Sequence, residues 1–297
     1  MEKRKTFSTG FSKSRLHSYS QLMKYSHNVA DLATHDYKHV FMGAKAVYEK
    51  YFELPIDQAR MLDVGCGQRF PVTLMFHSLG AKITGIDTDV VQPHLTVRMV
   101  RDMLKHNGLE RCIKTLARRL MYDPKYYKTI GKQAGVPLRF KEIDIRRMSA
   151  YDLEFPDCHF DYAYSNAVFE HIDQPQSAVR EINRVLKPGG IANIGIHLFA
   201  SVSGGHCLEW SNPDEFPSAK VPPWDHLRQN MYPTHVYLNK WRETDYLNVF
   251  EEYFTVLEHR CRHEGKTLLT EEILKELPGY SEDELLKRSI RLILRKQ

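Results

Sequence analysis

Two glycines and two acids near residue 65 have the types and spacing to bind a nucleoside. Asp63-Val-Gly65-Cys-Gly67 follows a short apolar run and precedes a helical pattern, and Asp87 comes twenty residues after Gly67. Glycines at such a turn let the backbone approach a ligand and expose amide groups at the start of a helix. A carboxylate at the end of the next strand can accept hydrogen bonds from both ribose hydroxyls. The pattern therefore predicts a nucleoside site.

The side chain at position 70 separates two kinds of nucleoside ligand. A dinucleotide fingerprint has a third glycine where this chain has Phe70. A bulky side chain there makes close packing of a pyrophosphate against the helix harder, so the pattern favours a nucleoside without a diphosphate. A nicotinamide-dependent oxidoreductase is the alternative class, and it predicts binding of NADH.

Histidines that follow two later apolar runs are candidates for proton transfer. Glu170-His171 comes after the run Phe160–Ser165, His197 ends a later run, and His206 lies in the segment that follows. The carboxyl edge of a parallel sheet is where ligands bind, and imidazole has a pKa suited to proton transfer near neutral pH. We therefore predict His171 and His206 as catalytic residues. The alternative is that both histidines only order their loops.

Short apolar runs that alternate with helical patterns must position these residues. The predicted strands are 60–65, 81–87, 138–144, 160–165 and 191–197, and the predicted helices are 71–79, 97–106 and 175–186. Strands that alternate with helices form right-handed crossovers and a mostly parallel sheet. A final alternating run at 288–295 predicts one more strand. The sequence thus predicts an α/β fold with a doubly wound sheet.

Two stretches are longer than ordinary connections between elements. They are 107–136 and 198–253, and the second is rich in aromatic residues and proline. Long excursions in a compact domain are usually functional, so we expect the second to be a substrate lid or insertion. The predicted plan is a flexible basic tail at 1–15 and one domain at 16–297, divided into a helical cap (16–55), a core (56–197), the lid (198–253) and C-terminal strands and helix (254–297).

The composition is that of a globular protein, with 42% hydrophobic and 27% charged residues. No run approaches the roughly 18 apolar residues of a membrane-spanning helix, and the basic N-terminus lacks the apolar run of a secretory signal. The five cysteines show no Cys-x-x-Cys spacing, which favours reduced thiols over a disulfide framework or structural zinc. We expect a cytoplasmic protein without a membrane span.

Positive charge is concentrated in one internal segment. The formal net charge of the chain is +5, but Arg98–Lys132 alone holds ten Lys/Arg and three Asp/Glu. The default interpretation is a solvated helical face. Recruitment of an anionic substrate, a nucleic acid included, is the alternative. The tyrosines among these bases do not by themselves indicate RNA, because no recognisable RNA-binding module accompanies them.

From Met61 to Phe199 the sequence resembles the class I S-adenosylmethionine (SAM)-dependent methyltransferases, especially the methyltransferase type 11 group. The resemblance rests on MLDVGCG, GIDTD, EIDI, FDYAYSNAVFEHI and INRVLKPGG in the expected order. It implies SAM as cofactor and a mostly parallel, seven-stranded Rossmann-like sheet, with N-terminal helices and a long insertion after strand five. The family's last, antiparallel strand matches Ser289–Arg295.

The resemblance also implies a set of cofactor-binding residues. The loop glycines pass the methionine moiety, an acid lies beneath them, and Asp87 holds the ribose. Asp144 faces the adenine amino group with the Ile145 backbone near the ring, while Ser165 and Asn166 border the methionine end. The full set is Asp63, Gly65, Cys66, Gly67, Asp87, Thr88, Asp144, Ile145, Ser165 and Asn166.

Two departures from the family pattern bear on this site. Some relatives, including quinone O-methyltransferases and small-RNA 2′-O-methyltransferases, hold a divalent metal with Glu-x-x-Glu-His. The first glutamate of that motif falls on Ala167, so we expect no metal site. Family members often carry a third glycine where this chain has Arg69, which predicts a different loop shape.

The expected activity is SAM-dependent methyl transfer to an acceptor held in line with the donor, because positioning supplies much of the rate. O-methylation of a small molecule or a sugar/glycan acceptor is the leading hypothesis, since histidines crowd the predicted edge. An RNA methyltransferase and a SAM-binding protein without turnover are the alternatives within this fold.

Overall fold

A seven-stranded sheet organises the chain, which the computed structural model describes at residues 28–207, 210, 221–234 and 236–297. Its strands are β1 (Arg60–Val64), β2 (Lys82–Asp87), β3 (Asp144–Arg147), β4 (Phe160–Asn166), β5 (Leu186–His197), β6 (Phe254–His263) and β7 (Lys287–Lys296). The α-helices within the described ranges are α1 (Val29–His35), α2 (Met42–Tyr51), α3 (Pro71–Ser78), α4 (Val97–His106), α5 (Leu109–Met121), α6 (Asp123–Ala134), α7 (Pro175–Val185), α8 (Glu243–Tyr253), α9 (Glu271–Glu276) and α10 (Glu282–Leu286).

The strands lie in the order β3-β2-β1-β4-β5-β7-β6. Neighbours from β3 to β5 run parallel, whereas β7 runs antiparallel to both β5 and β6. The sheet is therefore mixed, and the predicted α/β class with a last antiparallel strand is confirmed. Because β1 to β5 are parallel, their carboxyl ends share one edge of the sheet, where ligands bind in such folds.

The third strand does not lie where the sequence predicted it. The sequence predicted it at 138–144, but β3 covers Asp144–Arg147. Glu142 has a φ of +61°, which interrupts an extended backbone, and Leu138 and Phe140 pack as partly buried side chains beside Phe70. The apolar side chains of this segment therefore pack locally before the strand begins, and Asp144 is the first residue of β3 instead of the last.

The fifth strand begins earlier than predicted, at Leu186 instead of Ile191. Its pairing with β4 shifts register, since Phe160 faces Leu186 but Tyr162 faces Ile191. The predicted turn Lys187-Pro-Gly-Gly190 is therefore accommodated as an irregularity inside β5 and not as a loop before it. The carboxyl end of the strand, His197, lies where the sequence predicted it.

Helices cover the sheet much as the sequence predicted. Within the described residues, helical structure runs from α1 through a π-helical segment, Asp36–Phe41, to α2, and Tyr162 of β4 donates a hydrogen bond to the carbonyl of Ala44 (3.0 Å). Side chains alternate along the strands between two cores: Leu62 packs on the side of α7 and α8, and Met61 packs on the side of α1 to α3. No helix in the described ranges combines the length and apolarity needed to cross a membrane.

The long connection after β2 folds into α4, α5 and α6. Its charges are partly paired along the helices, as in Lys114 with Glu110 at 2.8 Å, and Lys125, Lys128 and Lys132 line an open groove on the surface of α6. These side chains are exposed, so the segment has the solvated basic face that was its default interpretation.

Buried ion pairs fasten this helical segment to the loop after β1. Asp123, at the start of α6, accepts hydrogen bonds from Nε of Arg69 (2.8 Å) and Nε of Arg118 (3.2 Å). Arg118 also donates to the carbonyl of Gln68 (3.2 Å), and the Arg69 guanidinium lies 4.8 Å from the centre of the Tyr126 ring. Arg69, which stands where relatives carry glycine, thus anchors the loop to α6.

Replacing Asp123 with Ala is expected to lower the free energy of unfolding by about 3 kcal/mol, because two partly buried guanidinium groups lose their carboxylate. The matched control is Asp157→Ala. Its side chain is 73% exposed and pairs with Arg184, so this change should cost less than about 1 kcal/mol. Urea unfolding of both variants measures the difference, and equal losses would contradict the assigned anchor.

Candidate functional site

The loop after β1 is a tight turn formed by glycines in the left-handed region. Gly65 and Gly67 have φ values of +75° and +70°. The amides of Gly65 and Cys66 both donate to the carbonyl of Ile86 in β2, at 2.9 and 3.0 Å. The loop is thereby held against the carboxyl end of β2, as the sequence predicted.

Gly65 also makes a close approach to the segment after β4. A Cβ atom added at Gly65 would lie 2.2 Å from Cγ2 of Val168, whereas one added at Gly67 would meet nothing within 4 Å. Val168 therefore leaves no room for a side chain at position 65, whereas the described residues leave the space around Gly67 open. The contact joins the loop after β1 to residues 167–171.

Asp63 lies beneath this loop, where the family resemblance placed it. It is 2% exposed, and its carboxylate accepts hydrogen bonds from the backbone amide and the hydroxyl of Thr73 in α3, at 3.2 and 2.6 Å. Burial raises the pKa of Asp63 to about 7, against the opposing effect of the Thr73 bonds. Asp63 therefore ties β1 to α3 and supports the loop from within the core.

Asp87, at the end of β2, faces the glycine loop. Its carboxylate accepts from the amide of Gly67 (3.1 Å) and from the amide of Asp89 (2.8 Å). Burial raises its pKa, while these amides act in the opposite direction. Thr88 follows as an exposed residue. The predicted pair of a glycine loop and an acid on the next strand is therefore assembled at one place.

Asp144 does not join this group. It pairs with Thr84, three residues before Asp87 in β2, which corresponds to about 10 Å along the strand. Its carboxylate accepts from the Thr84 hydroxyl (2.9 Å) and forms an ion pair with Arg146 (2.8 Å). Ile145 follows it in the interior of β3. The two residues predicted to face an adenine therefore lie back from Asp87, because the strand starts later than its apolar pattern indicated.

The residues that reach the carboxyl edge from β3 are those after Arg147. The Met148 amide donates to the carbonyl of Asp87 (2.9 Å), and Ser149 forms an isolated bridge with Asp152. No sequence motif indicated these positions. Only the register of β3 against β2 identifies them.

Ser165 and Asn166 end β4 beside the loop. Ser165 pairs with Val64 of β1 and is fully buried, and its hydroxyl has no hydrogen-bond partner within the described part of the chain. The amide oxygen of Asn166 accepts from Arg291 of β7. The two residues thus lie at the carboxyl edge of the sheet, where Asn166 is fixed by Arg291 and the Ser165 hydroxyl has no partner among the described residues.

Three histidines gather at the same edge, beyond the segment that touches Gly65. The ring of His206 lies 4.8 Å from that of His171 and 4.8 Å from that of His197. Burial lowers the pKa of His197 to about 3 and that of His206 to about 4, with smaller contributions from neighbouring cationic groups. Both rings are therefore neutral near pH 7. The two predicted catalytic histidines are brought together, and His197 joins them.

Glu170 lies beside these rings and was not selected from the sequence. It is 2% exposed, and burial raises its pKa to about 8. One ligand atom each from Glu170, His197 and His206 lie within 4.8 Å of one another. One feature of the sequence could have identified this pair: Glu170 follows β4 and His197 ends β5. These strands are adjacent and parallel, so their carboxyl ends lie at one edge of the sheet.

Comparison with known proteins supports the family resemblance over part of the chain. Residues 122–194, about a quarter of the sequence, match the family described as a methyltransferase domain. This stretch contains β3, β4 and α7. No curated protein sequence matches the chain.

The chain is similar to solved structures at low sequence identity and with TM-scores below 0.5. A SAM-dependent methyltransferase from Methanosarcina mazei is 15% identical with a TM-score of 0.45, over 84% of this chain and 96% of that one. For an S-adenosylmethionine-dependent methyltransferase from Mesorhizobium loti the values are 14%, 0.45, 85% and 96%. For the [4+2]-cyclase SpnF they are 18%, 0.43, 85% and 80%.

The match of residues 122–194 to a methyltransferase domain agrees with the class predicted from the sequence, a SAM-dependent methyltransferase. SAM is the methyl donor of this class. The acceptor is a separate question, because one fold serves many substrates.

Gly65→Ala is expected to abolish SAM binding and to destabilise the fold more than Gly67→Ala does. Both changes place a side chain in the left-handed region, which costs about 1–2 kcal/mol, but only the first overlaps Val168. Urea unfolding measures the stability difference, and calorimetric titration measures SAM affinity. A Gly65→Ala protein with unchanged stability and SAM affinity would contradict the close approach.

Proposed function

We propose that this protein transfers the methyl group of SAM to a hydroxyl group of a small molecule or sugar acceptor. The observation that carries the proposal is the histidine group His171, His197 and His206, which lies next to the segment that contacts Gly65. A hydroxyl nucleophile benefits from a nearby base, and this edge supplies imidazoles.

The glycine loop has the features needed to hold SAM. Space is open around Gly67, the Asp87 carboxylate lies beside it, and the buried hydroxyl of Ser165 has no partner among the described residues. Asp87 would exchange its amide bonds for ribose hydroxyls, and the amides around Gly67 would face the methionine end. When bound, SAM supplies a methyl group on a sulfonium sulfur, which is already activated for attack.

His171 is the group proposed to take the proton of the acceptor. Its Nδ1 lies 2.9 Å from the carbonyl oxygen of Tyr237, and a carbonyl only accepts hydrogen bonds. Nδ1 therefore carries the proton in the neutral tautomer, in which the lone pair is on Nε2. In the transfer, the acceptor oxygen forms a bond to the methyl carbon as the carbon–sulfur bond breaks, the electron pair stays on sulfur, and the hydroxyl proton goes to Nε2.

Asn239, in the segment 198–253, fixes the turn that carries Glu170 and His171. Asn239 donates from its amide side chain to the carbonyls of Phe169 (2.7 Å) and Ile172 (3.0 Å), and its backbone amide donates to the carbonyl of Glu170 (2.9 Å). This clamp supports the proposal that the segment covers the acceptor side of the site.

Transfer of radiolabelled methyl groups from SAM to a panel of acceptors tests the proposal. The panel contains hydroxylated small molecules, free and nucleotide-linked sugars, and RNA, with matched O-methylated compounds as blocked controls. We expect label in a hydroxyl compound and none in its blocked counterpart. Label only in RNA, or equal label in blocked and free compounds, would contradict it.

Asp87→Ala is expected to weaken SAM binding by at least about 10-fold, because the ribose loses a charged hydrogen-bond acceptor. Asp144→Ala is the matched control and should leave the affinity within about 2-fold, since its carboxylate pairs with Thr84 and Arg146 away from the loop. Calorimetric titration with SAM measures both. A larger loss in Asp144→Ala would restore the adenine contact predicted from the sequence.

His171→Gln is expected to lower kcat by about 100-fold or more, the usual contribution of a general base, with SAM affinity unchanged. His159→Gln is the control, because His159 precedes β4 at the opposite end of the sheet. A single-turnover assay on the acceptor found in the panel measures the rate. If His171→Gln kept the full rate, the ring would only order its loop.

A further inference from the structure

Two groups of side chains in the described ranges have the composition and spacing of metal sites: Glu170 with His197 and His206, and Glu243 with His259 and Cys261. They differ in how their carboxylates are compensated. Glu243 already bonds Nζ of Lys287 (2.6 Å) and Nε2 of His259 (2.7 Å). In the described part of the chain Glu170 forms no such ion pair, so only the Glu170 group has a carboxyl group open to a metal ion.

The Glu170 carboxyl group is buried without adequate compensation. Both of its oxygens are inaccessible and form no hydrogen bond with the described residues. The backbone amides of Glu170 and His197 act to stabilise its charge, but burial outweighs them. A buried polar group in a native structure is normally satisfied by a partner, an ordered water or an ion, so this carboxyl indicates a missing ligand.

The hydrogen bonds of His197 leave it ready to coordinate an ion. Its Nε2 lies 2.8 Å from the hydroxyl of Ser203, and that hydroxyl also bonds the carboxylate of Glu264. Arg288 forms an ion pair with Glu264 at 3.3 Å. The hydroxyl therefore donates to Glu264 and accepts from Nε2–H of His197, which leaves the lone pair on Nδ1. Metal-binding histidines characteristically donate their other ring N–H in this way.

His206 is held in the group by a strained turn. Its φ is +56°, a conformation that costs a residue with a side chain about 1 kcal/mol or more. The turn is confined, since Cβ atoms at Gly204 and Gly205 would lie 2.3 Å from the Phe199 carbonyl and 2.5 Å from the His226 ring. Nε2 of His206 is buried and has no hydrogen-bond partner among the described residues.

We propose that Glu170, His197 and His206 bind a divalent transition-metal ion such as Zn²⁺, whereas the incomplete Glu-x-x-Glu-His motif led us to expect no metal site. Two neutral imidazoles and one carboxylate form a ligand set that Zn²⁺ uses with open positions for water or substrate. Ligand atoms around Zn²⁺ lie about 3.3 Å apart, given bonds of about 2.1 Å. The observed separations of up to 4.8 Å need a closure of about 1.5 Å, within the range of side-chain rotation.

The ion would act on the acceptor, and this part rests on the proposed function. An open coordination position beside His171 would bind the acceptor hydroxyl and lower its pKa, as metal-bound oxygen groups show. Glu170, His197 and His206 would then be ligands, and the proton would go to His171. The ion also compensates the buried charge of Glu170, whether or not methyl transfer follows.

Titration of chelator-stripped full-length protein with Co²⁺ tests the site directly, with the visible d–d absorption and calorimetry as readouts and Zn²⁺ as competitor. We expect one ion per chain, displaced by Zn²⁺. Glu170→Gln and His206→Ala should each weaken binding by about 100-fold, and Ser203→Ala by about 10-fold through its effect on His197. Glu243→Gln is the control and should bind Co²⁺ as the wild type does.

Several outcomes would overturn the site. One is that neither Co²⁺ nor Zn²⁺ binds at millimolar concentration. Another is that Co²⁺ binds to Glu170→Gln and to His206→Ala as tightly as to the wild type. The third is a thiolate-to-cobalt charge-transfer band that disappears in Glu243→Gln, which would place the ion in the other group. Thermal unfolding of the stripped variants shows whether they fold, and Glu170→Gln should unfold at a temperature close to that of the wild type, because glutamine matches the size of the uncharged acid. SAM titration of the same samples keeps failure of this site distinct from failure of the proposed methyl transfer.

Discussion

The close approach of Gly65 to Val168 is the constraint on which the arrangement of the site depends. No side chain fits between them, so the loop after β1 and the segment after β4 must meet at one point of the sheet edge. Asp87 meets the loop from one side, and the His171 amide bonds the carbonyl of Val168 (2.8 Å) from the other. The glycine loop and the histidine group are therefore neighbours by backbone geometry.

Three buried acids near this edge differ in how their carboxyl groups are compensated. Asp63 and Asp123 are both buried and both satisfied, by Thr73 and by two arginines, and each holds the cofactor loop in place. Glu170 is equally buried, but its carboxyl oxygens have no hydrogen-bond partner among the described residues. Buried polar groups are normally paired, and the proposed cation would be the partner of this carboxyl group.

The sequence was sufficient for the sheet, the glycine loop and Asp87, because glycine turns and apolar runs depend on local chemistry. It failed for β3, where Leu138 and Phe140 have the pattern of a strand but pack beside Phe70 as a loop, and Asp144 was misplaced with it. The role proposed for Glu170 and His197 needed burial and hydrogen-bond partners that are remote in sequence, such as Glu264. Nor did the motif identify the anchor formed by Arg69 and Asp123, which are 54 residues apart.

The structure of the protein with bound S-adenosylhomocysteine, the product of SAM after transfer, tests the central claim most directly. The account predicts the ribose hydroxyls against the Asp87 carboxylate and the sulfur directed towards residues 167–171, with His171 and His206 beyond it. A nucleoside bound next to Asp144, or a sulfur directed away from the histidine group, would contradict the claim that the glycine loop and the histidines form one site.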